Sequence, residues 1–313
     1  MAAILDPFVL EYAPGPLVEL HPSIVRLRIA FYSLLSTLSP VADDRLTSAW
    51  IWDGNAVDVR YGFYRSLESL ESAGSEVGRA LTAPSSEARD AVGATTLARW
   101  DLQGVLVGLD DADLDADPGG GEWTIRQTLA HIIGGQRGYA WGSAYWLSLG
   151  DQPRAQGRQT APDELFEQMP PEEDEAPGSL ADIRARLDGV VDATSSRYAT
   201  LTPAEMAVMG GWSGFPVTIG FRMWRWPSHI EEHTVQVDKT LDMLGRRRTE
   251  VQRLVRLNAA AFGRLESLVF GRPPAELDAA GVPASLQTVA AALDELGPSV
   301  KAAADAGVQA PDW

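Results

Sequence analysis

The chain has 313 residues, 45% of them hydrophobic and 22% charged, which is ordinary globular usage and excludes disorder over most of its length. Cysteine is absent, so disulfides, thiolate nucleophiles, zinc fingers and iron–sulfur ligation are excluded together. With 43 acidic against 26 basic residues the net charge is −17, which repels phosphate backbones and argues against a nucleic-acid partner.

The short basic cluster Arg246-Arg247-Arg248 reads as the end of a helix rather than a contact for DNA. The N-terminal stretch lacks the basic start and apolar centre of a signal peptide. No apolar run approaches the roughly 18 residues of a membrane span, so the expectation is a cytoplasmic protein without membrane contact.

Apolar residues recur at spacings of three and four rather than two, which predicts an all-α chain. In order, helices are expected over 22–38, 56–81, 86–109, 124–149, 180–200, 218–244, 249–269 and 285–304. Ser85 and Ser86, followed by Glu87, supply an N-terminal cap with an acid in the first turn. Asp117-Pro118-Gly119-Gly120-Gly121 cannot continue a helix, because glycine is too free and proline lacks the donor. Residues 151–178 are polar and carry Pro153, Pro170, Pro171, Pro177 and an acidic run at 172–175; they predict a long solvated connection. Gly210-Gly211 is read as a break between two helices. A weak internal similarity aligns 38–64 with 109–139, by duplication or by chance likeness of two helical hairpins: each has a helix end, an acidic loop, a tryptophan (Trp52, Trp123) and a further helix.

Only four histidines occur, and three fall in predicted helices. His229 and His233 are four apart, hence about 40° apart on one helical face. Such a pair can chelate a metal ion through neutral imidazole, and His131 is the candidate third ligand from another helix. Three imidazoles leave positions open for water or substrate. Following His131, Gly134, Gly135, Gly138 and Gly142 form a stripe with a helical cost several times the ~1 kcal/mol of one glycine. Either another helix packs closely there or the stripe is the floor of a cavity.

Gln236 lies on the face of His233 and can orient an imidazole or hold a bound water. Arg225 and Arg222 precede His229 near the same face, where a planar guanidinium could take a substrate carboxylate; Pro227 kinks the helix between them and the histidines. Glu231 and Glu232 do not match the HExxH zinc hydrolases, because Ile230 stands where the glutamate would, so they read as exposed. Trp141, Trp146, Trp224, Trp226 and Tyr139 flank the histidines, and Tyr145 is a candidate pocket wall.

Two stretches carry a resemblance. Leu109 through Asp113 and Asp115, Gly121-Glu122-Trp123-Thr124 and Leu129-Ala130-His131-Ile132, together with His229-Ile230-Glu231-Glu232-His233-Thr234-Val235-Gln236, resemble the DinB-like metalloprotein family. That superfamily includes bacillithiol S-transferases and mycothiol-dependent maleylpyruvate isomerase. The resemblance implies a four-helix bundle with a long second connection. It also implies His131, His229 and His233 as metal ligands and Gln236 in the family's glutamine place. A divalent ion (zinc, nickel or iron) and a low-molecular-weight thiol are the implied cofactors.

The resulting division is an N-terminal helical hairpin over 1–84, a DinB-like metal-binding bundle over 85–245, and a C-terminal helical pair over 246–313. The last would pack with the N-terminal hairpin, and the flanks are then a second, degenerate bundle that has lost the counterparts of those three histidines. Two functions stay open: a metal-dependent thiol transferase or hydrolase acting on a small-molecule substrate, and a non-catalytic helical protein with a structural or vestigial metal site. The aromatic content is compatible with a homodimer.

Overall fold

The computed structural model describes residues 19–150, 167, 169–212 and 214–310. Among these, eleven α-helices and two short strand pairs form. The first half runs α1 (Pro22–Leu38), β1 (Ala49–Trp52), β2 (Asn55–Asp58), α2 (Val59–Ala80), α3 (Glu87–Leu106), α4 (Asp111–Leu114) and α5 (Ile125–Ser148). The second half continues with α6 (Leu180–Tyr198), α7 (Pro203–Met206), β3 (Met209–Trp212), β4 (Phe215–Thr218), α8 (Ile219–Met243), α9 (Glu250–Val269), α10 (Pro274–Ala279) and α11 (Val282–Ala306). No described helix is long and apolar enough to cross a membrane.

The long helices follow the predicted spacing, and the differences have local causes. The expected start at 56 moves to Val59 because 55–58 pair with 49–52 as a hairpin, after which the Asp58 carboxylate caps α2 by accepting from the Tyr61 N–H. Asp53 and Gly54 both take positive φ (49° and 74°), as a two-residue turn between right-twisted strands requires. Gly210 and Gly211 are not a linker; they lie in β3, paired with Val217 and Pro216. The predicted connection at 151–178 lies outside the described residues up to 166, while Glu172–Asp174 forms a 3₁₀ turn.

Two helical bundles result. Helices α3, α5, α6 and α8 pack around one set of buried residues, including Leu102, Leu129, Ile133, Leu187 and Ile230. Helices α1, α2, α9 and α11 pack around another, including Phe31, Phe63, Leu70, Phe262 and Leu293. Each fully buried Leu, Ile or Phe contributes roughly 1.5–3 kcal/mol of transfer free energy. The bundles join through α3 and α9, the most extensive helix–helix contact among the described residues.

The two halves of the chain are repeats, but not with the partners the sequence suggested. The hairpins share one register: Ala49 corresponds to Met209, Trp52 to Trp212 and Asp58 to Thr218, an offset of 160. Thr218 caps α8 as Asp58 caps α2, accepting from Phe221 N–H. Thus 38–64 corresponds to 198–224. The aligned segment 109–139 instead contains the capped single turn α4 and the positive-φ glycines 119–121, with no hairpin.

Helices α3 and α9, each of 20 residues, correspond at an offset of 163 (Glu87 to Glu250). Their contacts are reciprocal. Gly93 abuts Ser267 and its mate Arg256 abuts Gly104, while Gly263 meets its own counterpart Trp100, so a pseudo-twofold axis passes near that crossing. The same region holds a buried polar cluster: Arg99, fully buried, pairs with Asp192 and Glu266, and Arg28 pairs with the same two acids. Trp100 Nε1 donates to Glu266 over 2.6 Å.

Candidate metal centre

Two helices deliver the histidines. On α5, Thr124 and Gln127 form a capping box, each side chain satisfying the other's backbone N–H, so His131 falls in the second turn at a fixed phase. Helix α8 continues through Pro227 and presents His229 and His233 one turn apart. Their candidate ligand atoms and that of His131 all lie within 4.8 Å of one another, a spacing that could hold one metal ion.

Hydrogen bonds set the ring orientations. Glu172 Oε2 lies 3.1 Å from His131 Nδ1, and Gln236 Oε1 lies 2.8 Å from His233 Nδ1. Both oxygens are acceptors, so each Nδ1 carries a proton, and in the neutral form of either ring the lone pair is then on Nε2. Nε2 of His131 lies 3.2 Å from Nε2 of His229. All three rings meet, with centroids 4.5–5.0 Å apart. Trp123 closes one side, 5.0 Å from the His131 ring and nearly parallel to that of His233. Its carbonyl accepts from Thr240 Oγ1 at 3.3 Å, and Tyr139 stands edge-on to His229.

His229 is 5% exposed, whereas the other two rings are half-buried. Burial, reinforced by His233 and His131, pushes the His229 pKa down to about 3. His233 is also lowered, chiefly by burial. Such imidazoles are neutral near pH 7, the state in which they ligate.

The glycine stripe is filled rather than bare. A Cβ on Gly135 would fall 2.4 Å from His229 Cε1, and one on Gly142 would fall 2.2 Å from Arg222 Nη2. Gly134 and Gly138 face the side chains of Glu172, Glu175 and Met169. The close approach is therefore made by side chains of α8 and of the 169–175 segment.

The other candidates separate. Gln236 stands beside His233, as described. Arg225 is committed to Glu232 through two hydrogen bonds of 2.8 and 2.9 Å, lies over the Trp212 ring and also donates to Ser228. Glu232 is thus engaged in that pair. Arg222 is buried and donates to the Gly211 carbonyl oxygen. Tyr145 packs edge-to-face on Trp146, while Tyr139 is the tyrosine at the histidines. Trp141, Trp146 and Trp226 are core residues and Trp224 is partly exposed. Sequence reasoning missed Glu172, 41 positions from His131, because nothing local marks one acid of an acidic run as an imidazole partner.

Fold and site together define a helical bundle with a three-imidazole centre between two of its helices. Residues 94–237, the central part of the chain, match the family model of the DinB superfamily. The matched segment starts within α3, ends just after Gln236 and contains all three histidines. Comparison with curated proteins and with solved structures finds no match.

Proposed function

We propose that the protein is a metal-dependent enzyme of the thiol S-transferase or hydrolase kind. In this reading His131, His229 and His233 hold a zinc, nickel or iron ion through Nε2, and the substrate is a small molecule. One observation carries it: one ring nitrogen from each of the three histidines lies within 4.8 Å of the others, while Glu172 and Gln236 tie back the Nδ1 atoms of His131 and His233. Neutral imidazoles suit all three metals, and a set of three leaves coordination positions open. When bound, the ion would lower the pKa of a thiol or water and supply a nucleophile near neutral pH.

The chain's own groups orient and shield. Glu172 and Gln236 hold the imidazole tautomers, Trp123 covers one side against bulk water, and Gly135 gives the His229 ring its space. Because the chain lacks cysteine, the thiol of a transfer reaction would come from a small-molecule cofactor.

The test is metal content by plasma mass spectrometry on protein without a histidine tag, beside His229→Ala. Near-stoichiometric metal that disappears in the variant, with helical circular dichroism retained, supports the reading and selects the metal for a thiol-transfer and hydrolysis screen. No metal after reconstitution overturns it. Loss of the fold in metal-free protein would make the ion a structural staple instead.

A further inference from the structure

Arg222 lies on α8 two turns before His229 and is 5% exposed. Its Nη1 donates to the Gly211 carbonyl oxygen, its Nε is buried without a partner, and among the described residues no carboxylate pairs with it. Arg99, Arg137 and Arg272 are comparably buried, and each has an acid: Asp192 and Glu266, Glu175, and Glu276 respectively. Around Arg222 the titratable neighbours are the hydroxyls of Tyr198 and Tyr139, and burial lowers its pKa with no counter-charge to offset that cost.

The repeat supplies an internal control. At the offset of 160, Arg222 corresponds to Gly62. Gly62 on α2 abuts Val300 on α11, a Cβ there falling 2.4 Å from Val300 Cγ2, just as Gly142 on α5 abuts Arg222 on α8. The same helix crossing is therefore filled by a valine in one bundle and by a guanidinium in the other. Packing does not demand a cation at this point.

We propose that Arg222 is an anion subsite that binds the carboxylate of the substrate. Its planar fork suits a carboxylate, and the free Nε is the donor that such a ligand would satisfy. Gly135 faces the His229 ring and Gly142 faces the Arg222 guanidinium, seven residues apart on α5, so the two groups are separated by about 10 Å along the helix. The substrate class is an organic acid whose reacting group lies about that far from its carboxylate. The placing of the reacting group rests on the metal reading above; the anion subsite itself does not. Arg225 is not the receptor, because Glu232 already occupies its fork.

The probes are linear ω-mercaptoalkanoates of increasing length and the matching ω-mercaptoalkanols, titrated into cobalt-loaded protein and followed by the thiolate-to-cobalt charge-transfer band. The acid whose length spans the gap is expected to bind roughly ten- to a hundredfold more tightly than its alcohol. That preference is expected to vanish in Arg222→Met while cobalt affinity is unchanged. Gly142→Ala attacks the same subsite from α5 by displacing the guanidinium, and should weaken the preference if Arg222→Met fails to fold. Equal binding of acid and alcohol, or a preference that survives both substitutions, overturns the proposal. Should cobalt not bind, the metal reading falls by itself. Calorimetric titration of metal-free protein with alkanoate against alkanol then decides: a preference abolished by Arg222→Met supports the subsite, and no preference overturns it.

Discussion

Two adjacent glycines on α5 give opposite predictions. In a helix interior, Gly→Ala adds about 1 kcal/mol through reduced backbone freedom. At Gly134 the new methyl would meet Glu175 Cγ at 3.7 Å and Glu172 Cγ at 3.8 Å, ordinary contact distances, so Gly134→Ala should gain most of that. At Gly135 the methyl would fall 2.4 Å from Cε1 and 3.1 Å from both nitrogens of His229, a buried ring held among Tyr139, His131 and His233. The ring has to move by more than half an ångström to restore ordinary contact. Overpacking of this kind costs about 1–3 kcal/mol, which cancels or exceeds the helical gain.

A displacement of that size also takes Nε2 away from the point shared with His131, so metal affinity should fall by at least about tenfold, the scale of a lost orienting contact. Urea unfolding of the metal-free proteins and chelator-competition titration of zinc or cobalt measure both quantities. Gly135→Ala binding metal as tightly as wild type, with the stability gain of Gly134→Ala, would refute the inferred packing of His229 on α5.

Glu172→Gln keeps the size but removes the charge facing His131, and Glu172→Ala removes the acceptor. Chelator competition should show metal affinity falling by about 10–100-fold in the alanine variant and less in the glutamine variant. A pH dependence follows from His229, whose folded pKa of about 3 lies below the unfolded value of about 6.5. The unfolded chain binds that proton more readily between these values, so metal-free stability is full above the window. It falls with pH inside it by up to about 1.4 kcal/mol per pH unit. Urea unfolding between pH 7 and pH 5, roughly the upper part of the window, should give a shallower slope for His229→Gln than for wild type. At the bundle crossing, Arg99→Met leaves Asp192 and Glu266 short of a partner and should cost about 3–5 kcal/mol in chemical denaturation.

The long helices were legible because burying a stripe on one face imposes a spacing of three and four. Hairpin strands of four residues are too short to show a period of two, although Asp53-Gly54 was a local turn signal. The histidine pair was legible because spacing on one helix fixes a shared face; its orienting acid was not, because Glu172 reaches His131 only through the tertiary course of the chain. Arg222 and Arg225 looked alike in sequence, both preceding Pro227. The structure separates them through Glu232, seven residues after Arg225, and through the packing of Arg222 on Gly142. The glycine stripe announced close approach, but what approached was a ring and a guanidinium from α8.

The connectivity of the repeat explains why one contiguous segment carries the site and the family match. Each half contributes two helices to each bundle: α3 and α5 meet α6 and α8, while α1 and α2 meet α9 and α11. The central bundle is therefore continuous in sequence, and the other is assembled from the two ends of the chain. At the hairpin offset, His229 corresponds to Ser69 and His233 to Ala73. Ser69 Oγ spends its hydrogen bond on the Arg65 carbonyl oxygen, and Ala73 lies in the core of its bundle. Where Gly142 corresponds to Val300, His131 corresponds to Val289, 4% exposed in that same core. The positions that turn three imidazoles together in one bundle thus hold two apolar side chains and one locally bonded hydroxyl in the other. The terminal bundle is fixed to the histidine-bearing bundle along α3 and α9 by the Arg28, Arg99, Asp192 and Glu266 network.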